Sequence, residues 1–127
     1  MSLFRELEPV EIQFKTSESI EDCRKKIISV IQTDGWKIKV ESKNDIVAGI
    51  GSGIKMRLLG AMIVGVKTSP RDVIISFKTN GDTTEIKAIV RDTLGFGSRV
   101  GFVDKLQKIM YENAFAIKNA FEDAETF

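Results

Sequence analysis

Four short stretches of this chain alternate apolar and polar residues with a period of two. Val10, Ile12 and Phe14 share one face of the first, opposite Glu11, Gln13 and Lys15. Trp36, Ile38 and Val40 interleave with Lys37, Lys39 and Glu41 in the second. Val73, Ile75 and Phe77, then Thr84, Ile86, Ala88 and Val90, set out the third and fourth. Successive side chains of a strand point to opposite sides, so alternation of this kind specifies a sheet with one buried face. Strands of a parallel sheet are buried on both faces and read as unbroken apolar runs, so this sheet is expected to be antiparallel. Trp36, Ile38 and Val40 should all point inward. The outward set of the fourth strand is Glu85, Lys87, Ile89 and Arg91.

Elsewhere the period is that of a helix. Ile20, Cys23, Ile27, Val30 and Ile31 form one apolar stripe, opened by Ser19 with Asp22 three residues on, a loose capping box. Asp34-Gly35 closes it, with Gly35 suited to the left-handed residue after the last turn. Val103, Leu106, Met110, Ala114, Ile117 and Phe121 recur at three and four, which predicts a helix from about Arg99 to Glu122. Ile46 to Ile50 reads as a strand, and Gly49, Gly51 and Gly53 mark a bulge or bend at its end. Ile54 to Lys67 reads as a strand bent at Gly60, with a short helix over Met56–Ile63 as the competing reading. Thr79-Asn80-Gly81-Asp82 is a hairpin signal, because Asn-Gly accepts positive φ at both turn positions. The expected fold is α+β: an antiparallel sheet of five to six strands in the order β-α-β-β-β-β-(β)-α, with a long C-terminal helix packed on one face. Residues 1–127 are expected to be a single domain, with 1–8 and 123–127 frayed or extended.

Composition narrows the chemistry. With 43% hydrophobic residues in 127, the chain can build a core without a metal or disulfide staple. The 19 Lys and Arg against 18 Asp and Glu speak against a dedicated nucleic-acid binder, whose footprint is a strong basic excess. Residues 1–22 are acidic and residues 36–71 basic. Cys23 is the single cysteine and histidine is absent, so no internal disulfide can form and no Ser-His or Cys-His pair exists. Zinc and most transition-metal sites draw on the same two residues. No catalytic residue, metal or cofactor is therefore expected. Cys23 itself reads as a small buried hydrophobe, and Glu18, Glu21 and Asp22 as acids at the positive end of a helix. The first residues lack the apolar core of a signal peptide. The longest apolar stretch, Leu58 to Val66, is short of the ~20 residues of a membrane helix. A cytoplasmic setting is expected.

Three surfaces remain. Gly95 to Gly101 follows a strand and opens a helix, and Arg91, Gly97, Ser98 and Arg99 are the candidate anion contacts there. No parallel strand follows, so the βαβ context of a nucleotide loop is missing. Leu58 to Val66, apolar on both faces, is the candidate for self-association. Its flanking Lys55, Arg57, Lys67 and Arg71 would also suit an anionic lipid surface. Trp36, Phe77, Met110 and Phe115 could line a pocket for a small apolar ligand between the sheet and the last helix. The leading expectation is a non-catalytic binding or assembly module that forms homo-oligomers. A carrier of a small apolar ligand is the alternative, and an enzyme the third, since no spacing singles out an acid–base pair.

The helix ending in Asp34-Gly35-Trp36, the alternating strand after it, and the Asn80-Gly81 hairpin before a Gly-rich lead into a terminal helix resemble small uncharacterised prokaryotic domains. Those domains have a fold similar to the TATA-binding protein or to the related helix-grip fold of the START and Bet v 1 group. The resemblance implies a sheet gripping a long last helix. A START-like domain carries two short helices after its first strand, where this chain has room for one. A TATA-binding protein reads DNA with two pseudo-symmetric repeats and intercalating aromatics, and this chain has neither. No functional residue carries over.

Overall fold

The computed structural model describes residues 8–51, 69–93 and 103–126. In chain order the elements are β1 (Val10–Thr16), α1 (Ile20–Thr33), β2 (Lys37–Glu41), β3 (Asp45–Ile50), β4 (Arg71–Asn80), β5 (Thr83–Asp92), α2 (Val103–Lys118) and β6 (Glu125–Thr126). The described strands form one sheet in the order β2-β3-β4-β5-β1-β6, and every pairing among them is antiparallel. The fold is α+β with the C-terminal helix on one face, as the alternation and the final helical stripe require. The ambiguous stretch 54–66 lies outside the described residues.

Register turns the alternating residues into rows. Val10, Val90, Val73 and Ala48 lie side by side across four strands. Ile12, Ala88, Ile75 and Ile46 make the next row, and Phe14, Ile86 and Phe77 a third. Cys23, Ile27 and Ile31 of α1 and Leu106, Met110, Ala114 and Ile117 of α2 join these rows in one core. Each fully buried Val, Leu, Ile, Phe or Met side chain among them stabilises the fold by about 1.5–3 kcal/mol.

Local chemistry sets the ends of α1. The Ser19 hydroxyl accepts from the Asp22 N–H at 3.2 Å, as the capping pattern predicts. At the other end Gly35 has φ +90°. The Trp36 N–H reaches the Ile31 carbonyl at 2.9 Å and the Gly35 N–H the Gln32 carbonyl at 3.1 Å. This pair of bonds is a Schellman closure, and it brings Trp36 and Ile31 together in the core.

Three expectations need correction. In the hairpin, Asn80 pairs with Thr83, so the loop residues are Gly81 and Asp82. Gly81 has φ +62° and no described non-glycine residue has positive φ. The turn therefore takes the glycine-first form rather than the form with two left-handed residues. Val40 does not point inward: a bulge between Ile38 and Val40 sets it opposite Val47, and it is 55% exposed. An extra residue in one strand shifts the phase of all that follows. Here the shift lets Lys39 reach Asp72 on one face while Glu41 reaches Arg24 of α1 on the other, at 2.7 and 2.6 Å.

The third concerns the C-terminal side. α2 ends at Lys118, not Glu122. The Ala120 and Phe121 N–H groups bond three residues back, to Ile117 and Lys118, which tightens the chain out of the helix. Phe121 stays buried because the turn sets its ring 5.4 Å from that of Phe14. Of the residues after it, Glu125 and Thr126 take the extended alternative. The Asp123 carboxylate accepts from the Thr16 hydroxyl, the Ser17 hydroxyl and the Ser17 N–H, and Glu125–Thr126 then pairs with β1.

The hydrogen bonds from the Ser17 and Thr16 side chains and the Ser17 amide hold the Asp123 carboxyl well below its usual value of 3.8, at about 2. A depressed folded-state pKa stabilises the fold fully above the unfolded value, and that contribution is lost as pH falls through the folded value. The hold of Asp123 on Ser17 is therefore expected to persist from neutral pH to below pH 4 and to fade towards pH 2. A carbon-detected NMR titration of the Asp123 carboxyl should show a midpoint near 2, with the Ser17 amide moving in parallel. A midpoint at 3.8 would remove the clamp.

Candidate functional site

Both described helices cover the same face of the sheet, so its opposite face can be built residue by residue from the register. Val40 lies opposite Val47, Val47 opposite Ile74, and Ile74 opposite Ile89. Four β-branched side chains thus stand in a line across β2, β3, β4 and β5. Val47, Ile74 and Ile89 are partly exposed, and all four lie outside the core and its flanking residues. On the solvated face of an antiparallel sheet polar residues are the rule, which makes a continuous apolar row there informative.

Charged pairs border the row. On one side Asp72 takes Lys39 Nζ at 2.7 Å and Arg91 at 3.9 Å. Gly49 sits beneath this cluster. A Cβ at that position would lie 2.5 Å from Lys39 Cε and 2.9 Å from Asp72 Oδ1, so the glycine makes room for the ion pair. At the β1 end the row meets Glu11, paired across strands with Lys87 at 2.9 Å. The border is polar and its charges are largely matched within the chain.

Among the described residues, Arg71 is the cation buried on the core face. It is 2% exposed. Its Nε donates to Asn113 Oδ1 of α2 at 3.1 Å and its Nη1 to the Ser69 carbonyl at 3.0 Å. The guanidinium lies 5.6 Å from the centre of the Trp36 ring. Burial pushes its pKa down to about 10, so it remains charged at neutral pH. This group joins the start of β4, the end of α1 and the last helix.

The candidate residues divide accordingly. Arg91 faces solvent, as its place in the outward set requires, and neighbours Asp72. Gly97, Ser98 and Arg99 lie outside the described residues, as does 58–66. Trp36, Phe77 and Met110 are buried members of the packed core. Phe115 is 44% exposed on α2 and lies outside that core. Cys23 is buried, its thiol pushed up to about 11 by burial first and by the nearby Glu18 carboxylate second. Such a thiol is inert at neutral pH. Around the start of α1 and the β4–β5 hairpin lies a polar groove of about 500 Å³. Four of its hydroxyls are engaged internally: Ser17 to Asp123, Ser19 at the helix cap, Thr83 to the Asn80 carbonyl and Thr84 to the Glu18 carbonyl.

The sequence reading placed Ile89 outward without seeing a row, and read Arg71 as an exposed basic flank suited to a lipid surface, which its burial corrects; each left a signal. Ile74 and Ile89 occupy outward positions of otherwise alternating strands, and Val47 lies in an apolar run. Arg71 is in phase with Val73, Ile75 and Phe77, so the alternation extended back by one step marks it as inward.

Among the described residues no group of three His, Cys, Asp or Glu side chains converges on a metal-sized site. No described helix is long and apolar enough to cross a membrane. Comparison with protein-family models and with curated proteins finds no match to this chain.

Proposed function

We propose that this chain is a non-catalytic assembly module that associates with a second copy of itself through the face of its sheet that neither described helix covers, the open face below. The row Val40, Val47, Ile74 and Ile89 carries this reading. It offers an apolar centre, and the Lys39–Asp72–Arg91 and Glu11–Lys87 groups offer a polar rim, the usual anatomy of a protein interface. The formal net charge of +1 gives two copies little mutual repulsion. The bulge supports the same reading, since it turns an edge-strand valine away from the core and into line with the row. A long last helix on one antiparallel sheet supports the helix-grip likeness as part of this proposal. A lone buried thiol suits the reducing cytoplasm.

Light scattering on a sizing column tests it. The native chain should elute at twice its 14.2 kDa mass or more at micromolar concentration, and Val40→Lys with Ile74→Lys should return it to a monomer with its circular dichroism unchanged. A native chain that is monomeric, or a variant that stays assembled, would sink the proposal.

A further inference from the structure

β1 has β5 on one side and only the two residues of β6 on the other, and the lengths do not match. β1 runs for seven residues, whereas β6 pairs only Thr126 with Phe14 and Glu125 with Lys15. Just before β1, Gln107 of α2 holds the Glu8 backbone at both ends: Glu8 N–H donates to Oε1 at 2.9 Å, and Nε2 donates to the Glu8 carbonyl at 3.0 Å. Between these two anchors, Val10 to Gln13 has no strand beside it among the described residues. An edge with open N–H and C=O groups is a template for a further strand.

The cover over Phe14 and Lys15 is held by few groups. Asp123 bonds Thr16 and Ser17, Phe121 packs on Phe14, and Lys26 stands 5.3 Å from the centre of the Phe121 ring. Two residue pairs of strand, the Lys15–Glu125 ion pair at 3.8 Å and the partly buried Ala120 and Ala124 complete it. We infer that residues 119–126 form a releasable strap guarding the β1 edge, and that release lets β1 pair with β1 of a second copy.

The register follows from side-chain chemistry. Ile12 and Phe14 must stay on the core side, so even-numbered residues must pair with even-numbered ones. A two-fold axis can then pass through Glu11, Ile12 or Gln13. Through Glu11, that carboxylate faces its own copy, and like charges directly opposite are destabilising. Through Ile12, Glu11 faces Gln13 and no ion pair forms. Through Gln13, Glu11 faces Lys15 twice, Ile12 faces Phe14 twice, and the two sheets continue as one. This register uses Phe14 and Lys15, the positions β6 occupies. The strap and the second copy therefore exclude each other.

The test uses the Val40→Lys, Ile74→Lys chain as background, so that open-face contact does not enter and failure of that reading is scored separately. Asp123→Ala with Thr126→Pro removes the clamp and interrupts β6. Sedimentation velocity should then show the mass doubling relative to the background, with the Gln13 amide slowed in hydrogen exchange. Adding Glu11→Lys, which sets lysine against Lys15, should restore the background mass. Exchanging both charges, Glu11→Lys with Lys15→Glu, should double it again. Three outcomes overturn the inference: a Glu125 amide still protected after both strap substitutions, a mass that does not change, or a doubling indifferent to Glu11→Lys.

Discussion

Phe14→Ala is expected to lower the unfolding free energy by about 3–5 kcal/mol. Phe14 is 0% exposed, lies opposite Ile86 of β5 and packs its ring on that of Phe121. Truncation removes the buried apolar area of the ring and leaves a cavity that sheet backbone on one side cannot close. It also removes the surface that holds Phe121, so the strap loses its apolar anchor while keeping the Asp123 hydrogen bonds. Domains of this size commonly have only about 5–15 kcal/mol to lose. Urea unfolding followed by the fluorescence of Trp36, the one tryptophan, gives the difference directly. Phe121→Ala, at the edge of the core, should cost less. A loss under about 1.5 kcal/mol for Phe14→Ala would mean that the site relaxes and that the core is not closed here.

Arg71→Ala is expected to cost about 3 kcal/mol, most of it from acceptors left unsatisfied. The guanidinium supplies the Asn113 side-chain oxygen and the Ser69 carbonyl from a position with almost no solvent contact. Without it, these oxygens face a void beside Trp36. Arg71→Met separates volume from hydrogen bonding: it refills the space against the indole but donates nothing, and it should recover about a third to a half of the loss. The Trp36 emission maximum should shift in both variants, because the cation near its ring is gone. If Arg71→Ala unfolds within about 1 kcal/mol of the native chain, the arginine is not what ties α2 to the start of β4.

Much of this architecture is written in local periodicity. The β1 and β5 patterns map residue for residue onto the core face, since Val10, Phe14, Ile86, Ala88 and Val90 are all buried. The α1 cap and its Gly35 closure are equally local, needing only Ser19, Asp22 and a residue free to take positive φ. What escaped depends on partners distant in the chain. Nothing in Lys37–Glu41 announces a bulge, because its reasons are Asp72 on one face and Arg24 on the other. The stripe of α2 runs on to Phe121 in sequence, but Phe14 and the Asp123 bonds to Thr16 and Ser17, over a hundred residues earlier, draw the chain out of the helix at Lys118. The open-face row is legible only once β2 to β5 are set in register, because each strand contributes one residue to it.

The bulge at Lys39 makes parity, rather than polarity, decide which side of β2 a residue serves. Lys39 counts as a residue in the chain but not in the ladder, so two neighbours, Lys39 and Val40, serve the same side. Were Lys39 instead seated opposite Val47, Val40 would swing inward opposite Ile46, and Glu41 would turn away from Arg24. A chain one residue shorter at this point could keep Val40 and Glu41 where they are with no irregularity at all. The outer surface of this sheet can therefore be rewritten by insertion or deletion of one residue in an edge strand, a kind of change that leaves composition and hydropathy almost untouched.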